Sequence, residues 1–280
     1  MRELDIIYKT FERCVEEKPE DYYGELYFDP NSYHVIDINN NSLVRVQNVY
    51  DKYDNLFDTQ SRFFSYLLGF RNFKGFPKVI VDEDFDSLER ISVYHGFKEF
   101  EHGASLLADF NYHYGKGWIY GTYFSDSRPE ACEYAHEIKE IKSTKNSKVL
   151  EAKIFSNKGI DVNDLIVIGD YIKNENSDIS KLHLNTKILN RIDELSKFIR
   201  EKDASKNNID FKRFKSFILK GAFLGVYLGF DFIDYDSGND TYHIIVLNRE
   251  SLLVPNREFK KFTKNSKSYR EQTIDPEAIL

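Results

Sequence analysis

The residues best suited to chemistry stand in two short stretches. The first is Val93-Tyr94-His95-Gly96; the second is Gly121-Thr122-Tyr123-Phe124-Ser125-Asp126, followed by Ala131-Cys132-Glu133-Tyr134-Ala135. Between them lies a segment interrupted by Gly103, Gly115 and Gly117, which cannot easily form a regular element. Ordered loops of such length are uncommon unless they carry function. Histidine, tyrosine rings and side-chain-free backbone can hold a flat polar ligand by hydrogen bonding, stacking and close approach. A lone His-Gly or Tyr-Phe arises by chance in many chains, and a histidine on a strand is usually a packed or surface residue. The information is in the joint pattern: both pieces, the glycine-rich stretch between them, and Tyr134 eleven residues after Tyr123.

That pattern resembles the poly(ADP-ribose) polymerases and the diphtheria-toxin type of mono-ADP-ribosyltransferase. The resemblance covers about Pro77 to Val254 and is strongest from Val93 to Ala135. It implies NAD as a substrate, release of nicotinamide, and transfer of ADP-ribose to a macromolecular acceptor, protein or nucleic acid. It implies no metal. Tyr123 and Tyr134 would sandwich the nicotinamide, the Gly96 backbone would bind its carboxamide, and His95 would hydrogen-bond a ribose hydroxyl of the adenosine half. Tyr94 and Phe124 would complete the NAD-binding set, with Gly115, Lys116 and Gly117 over the pyrophosphate. Positive charge develops on the ribose as the bond to nicotinamide breaks, as in glycoside hydrolysis, so positioning is central to the reaction.

The chain departs from the family pattern at two points. Ala131 stands where the family has a serine that contacts the nicotinamide amide, and the family's late-strand catalytic glutamate falls at His243. Carboxylates that could replace it are Asp240, Glu250 and Asp236, in that order of preference. Lack of the glutamate favours single transfer over polymer formation. Lack of a paired acidic residue two positions earlier disfavours arginine acceptors. The competing reading is a binding module that keeps the fold, loses the reaction, and binds NAD, ADP-ribose or a protein partner.

The elements that must position these residues follow from patterning. Alternation around Ile91, Val93 and His95 predicts a strand. Ser127 to Ile141 reads as a helix, with Pro129 in its first turn and Asp126 or Ser127 as cap. Further strands are expected at Lys148–Phe155, Phe230–Tyr235 and Tyr242–Asn248, with Leu252–Val254 as a third late strand. Helices are expected at Leu4–Glu17, Gln60–Phe70, Lys187–Lys202 and Lys212–Leu228. Separated strands and helices indicate an α+β fold, for which the resemblance implies an ADP-ribosyltransferase-like split β-sheet core with surrounding helices. Residues 1–76 are expected to be a mainly helical accessory region and 77–280 the catalytic domain. An antitoxin or chaperone is the expected partner of the former, in keeping with a bacterial or phage toxin or effector.

Bulk properties bound these readings. A chain of 280 residues can bury a sizeable core. A net charge of −7 gives no general attraction to phosphate backbones, although basic residues cluster between Arg257 and Arg270. Cys14 and Cys132 lack metal-ligand spacing and suit a reducing compartment. The charged start and the lack of a membrane-length apolar run lead us to expect a cytoplasmic protein, with delivery into another cell still open.

Overall fold

A computed structural model describes residues 2–16, 34–37, 42–45, 59–73, 77–96, 121–136, 149–174, 177–203, 209–236 and 241–258. A two-stranded hairpin pairs β1 (His34–Asp37) with β2 (Ser42–Arg45). Eight further strands form one mixed sheet: β3 (Lys78–Ile80), β4 (Ser92–Gly96), β5 (Thr122–Ser125), β6 (Val149–Ile154), β7 (Gly159–Asp161), β8 (Phe232–Asp236), β9 (Tyr242–Val246) and β10 (Leu252–Pro255), in the order β3-β10-β6-β4-β5-β9-β8-β7. The two outer pairs are parallel and the inner ones antiparallel. The fold is therefore mixed α and β. Where a split core is expected, the strands join into a single sheet, and the division falls between its two faces.

One face carries the larger core. It packs against α1 (Glu3–Glu16), α2 (Thr59–Phe70), α5 (Val162–Asn174), α6 (Thr186–Asp203), α7 (Ile209–Ile218) and α8 (Gly221–Leu228), through Ile233, Ile245 and Leu247 of the strand segments. Aromatic edges tie the helices together: Phe214 of α7 meets Tyr8 and Phe11 of α1, Phe63 of α2 and Phe198 of α6 at centroid distances of 5.2–6.1 Å. Such edge-to-face pairs add to the stabilisation from buried area. The described helices of residues 1–76 thus share one apolar cluster with those of the C-terminal half. The opposite face carries a smaller cluster of Val93, Phe124, Leu150, Ala152, Val246, Leu252 and Val254.

The expected helix Lys212–Leu228 is two helices, α7 and α8, broken at Leu219-Lys220. α8 is buried on every side, so its sequence lacks the periodicity that separates one helix from the next. At its end Gly229 adopts a left-handed φ of 93°, while Arg71 and Arg191 donate to the carbonyls of Tyr227 and Leu228. These cations satisfy terminal carbonyls that the helix leaves open. Patterning also missed the β1–β2 hairpin, α3 (Asp82–Ser87), β5, β7 and α5.

On the smaller-core face, Asp161 of β7 stands in register with Asp234 of β8. Burial first, and the Asp161 charge second, raise the Asp234 pKa. A raised carboxyl pKa contributes stability that is full below the unfolded value and lost as pH rises through the folded value. Asp234→Asn is therefore expected to raise the melting temperature at pH 7 and to leave it near wild type in acid, below the unfolded carboxylate range. Thermal unfolding across pH checks this; a lower melting temperature at pH 7 would refute it.

Candidate active site

The three strands carrying the sequence-chosen residues are neighbours in the sheet, in the order β4-β5-β9. Gly121, immediately before β5, is fixed by packing. Its φ is +127°, and an added Cβ would lie 2.6 Å from Ile245 Cγ2 and 3.0 Å from the Val246 carbonyl oxygen. The glycine of the Gly-x-Tyr-Phe motif thus allows β5 to enter the sheet against β9, apart from any role with a ligand.

Alternation along β5 divides the motif between the two faces. Phe124 is 2 % exposed and belongs to the smaller core, whereas Tyr123 is half-buried and packs against the larger one. His95 lies on Phe124's face, with ring centroids 5.4 Å apart, and is 2 % exposed. Its Nδ1 donates to the Tyr123 carbonyl. An acceptor of that kind places the proton on Nδ1. His95 therefore touches the Tyr123 backbone from the face opposite the Tyr123 ring. The structure does not bring the two side chains together.

What it does assemble, on Tyr123's face, is a different group. Tyr94 stands opposite Ser125, and Ser125 opposite His243, which in turn stands opposite Tyr235. The Tyr235 and His243 rings are near-parallel, 6.1 Å apart. Above this row begins α4 (Arg128–His136); residues 137–141 of the expected helix lie outside the described residues. Its first turn supplies Glu130, whose Oε2 accepts from the Ser125 hydroxyl and whose Oε1 lies 2.7 Å from His243 Nε2. Partial burial opposes ionisation of Glu130. Hydrogen bonds from Ser125 and His243, the His243 charge and a Thr241 hydrogen bond outweigh it, and the pKa is lowered. An ionised Glu130 accepts, so His243 Nε2 carries a proton, and in the neutral ring Nδ1 becomes the basic nitrogen.

The signal for Glu130 is local. Ser127-Arg128-Pro129-Glu130 has the Ser-x-x-Glu spacing of a helix capping box. Half of the box forms, with the Glu130 N–H donating to Ser127 Oγ at 3.4 Å. The other half is diverted: Ser125 Oγ takes the Ser127 N–H at 3.0 Å, which releases the Glu130 carboxylate toward His243. Sequence reasoning missed it because a first-turn glutamate is ordinarily a capping residue.

The other candidates separate. Glu250 lies on a 3₁₀ turn beyond β9, 3.7 Å from Lys78 of the edge strand, and is not part of the Glu130 group. Gly96 ends β4 and is buried opposite Val149. Ala131 is buried on α4. Asp240 and Gly117, with Gly115 and Lys116, lie outside the described residues. Tyr134 is on α4 and Asp236 ends β8, but their side chains are outside the described set. Among the described residues, no cluster of three or more His, Cys, Asp or Glu could hold a metal ion, and no helix is long and apolar enough to cross a membrane. Comparison with protein-family models, curated proteins and solved structures finds no match.

Proposed function

We propose that this chain is a mono-ADP-ribosyltransferase that uses NAD, releases nicotinamide and transfers ADP-ribose to a protein or nucleic-acid acceptor, as a toxin or effector. The observation that carries the reading is the Glu130 carboxylate, held by Ser125 and His243 on the face to which Tyr123 points. It lies beside the position where the family's glutamate is expected. Ser125 is two residues from Tyr123, about 7 Å along a strand.

In this reading the Tyr123 ring stacks on nicotinamide. The bond between nicotinamide and ribose breaks, its electrons leave with neutral nicotinamide, and the ionised Glu130 stabilises the positive charge developing on the ribose. An acceptor X–H attacks the ribose carbon, and His243 Nδ1 takes its proton, with Glu130 holding the ring as the carboxylate of a catalytic triad holds its histidine. His95 is a positioning residue that fixes the backbone of Tyr123.

The test is incubation of the purified chain with isotope-labelled NAD and a cell lysate, with protease- and nuclease-treated controls. Free nicotinamide together with label on macromolecules supports transfer, and the controls identify the acceptor class. Tyr123→Ala is expected to lower turnover roughly ten- to hundredfold through lost stacking; wild-type turnover in a folded variant would remove Tyr123 from the site. The placement of His95 on the opposite face favours one alternative, a module that binds NAD or ADP-ribose without turnover. NAD binding with no nicotinamide release would select it.

A further inference from the structure

A groove of about 580 Å³ runs between α5 and α7 and reaches the start of α8. It lies outside the Glu130 group and within the volume range of small-molecule sites. Its apolar floor is formed by Leu165, Ile166 and Leu219, and Ile166 is 39 % exposed. Lys173, Lys212, Lys215 and Lys220 line it together with Asp170; Lys173 pairs with Asp170 and Lys215 with Asp203, which leaves more lysines than carboxylates. This local excess of positive charge stands in a chain of net charge −7.

Two further observations bear on what the groove would take. Gly169 lies on its α5 wall, although an added Cβ there would meet Leu224 Cδ2 at 3.7 Å and the Leu219 carbonyl at 3.9 Å, ordinary contact distances. Packing does not require glycine at this position, although glycine within a helix is destabilising relative to alanine. At the groove's end, α8 starts at Gly221 after Lys220, which gives the helix no side-chain cap. The first N–H groups of a helix favour an anion.

We propose that this groove binds an anionic amphiphile, with a carboxylate or phosphate headgroup among the lysines at the start of α8 and an apolar body along Leu165, Ile166 and Leu219. The apolar floor argues against a bare anion, and the excess of lysines over carboxylates against a neutral lipid. The experiment is calorimetric titration of the full chain, below micelle-forming concentrations, with decanoate, decyl phosphate, decanol and inorganic phosphate. Saturable one-to-one binding is expected for decanoate, decyl phosphate or both, with decanol and inorganic phosphate about tenfold weaker or more. Lys212→Glu and Ile166→Asp, each shown to be folded by thermal unfolding, are expected to weaken the anionic amphiphile about tenfold. The proposal is overturned if neither anionic amphiphile binds, if decanol or inorganic phosphate binds as well, or if both variants bind like wild type. A preference between the two amphiphiles identifies the headgroup.

Discussion

Glu130→Gln is expected to lower nicotinamide release by roughly a hundredfold or more, with a melting temperature close to wild type. Glutamine keeps the shape and can still accept from His243 Nε2, so the geometry survives while the negative charge is lost. That charge has two tasks in the proposed reaction: stabilising the ribosyl cation and holding His243 with Nδ1 as its basic nitrogen. Stability changes little because the carboxylate is partly exposed, and ion pairs of that kind contribute modestly. The sign of its pH dependence follows from the lowered Glu130 pKa. Its contribution is present above the unfolded glutamate value and is lost as pH falls through the folded value. Wild type and Glu130→Gln should therefore converge in melting temperature in acid, while turnover stays separated at neutral pH. His243→Gln should lower turnover similarly, because no ring nitrogen is left to take the acceptor proton. Nicotinamide release by Glu130→Gln at the wild-type rate would remove the carboxylate from the chemistry even if the chain is a transferase.

The largest expected stability effect lies far from the site. Phe214→Ala should destabilise the fold by about 3–5 kcal/mol, the usual cost of emptying a buried aromatic position. Phe214 is 0 % exposed and joins α1, α2, α6 and α7 through its ring contacts. A domain typically has about 5–15 kcal/mol to lose, so the melting temperature should fall by roughly 6–20 °C. Ile209→Ala, at the 73 % exposed first residue of α7, is the matched control and should change stability by about 0.5 kcal/mol or less. Equal effects in the two variants would mean that the aromatic cluster does not hold these helices together. Because α1 and α2 contribute to that cluster, the Phe214 result also reports on how the N-terminal helices are joined to the rest.

Local patterns in the sequence determined most elements that carry a clear period or punctuation. The helices at Glu3–Glu16, Thr59–Phe70 and Thr186–Asp203, and the strands at Ser92–Gly96, Val149–Ile154, Tyr242–Val246 and Leu252–Pro255, lie close to where alternation and spacing put them. The reason is that each buries one face, so the period is written in its own residues. The break between α7 and α8 was not legible, because burial of α8 on every side removes the contrast between faces, whereas α5 carries a helical period in Leu165, Ile168 and Ile172. For the candidate site, residue types and spacing selected strands β4, β5 and β9, and the structure makes them neighbours. Only the tertiary structure decided which side chains meet. Register and pleat put His95 with Phe124 on one face, and Tyr123, Ser125 and His243 on the other. The turn from β5 into α4 then carries Glu130 over that second face, 113 residues from His243 in the chain. A one-residue shift in pairing reverses every side chain on a strand, and no spacing along the sequence records that choice.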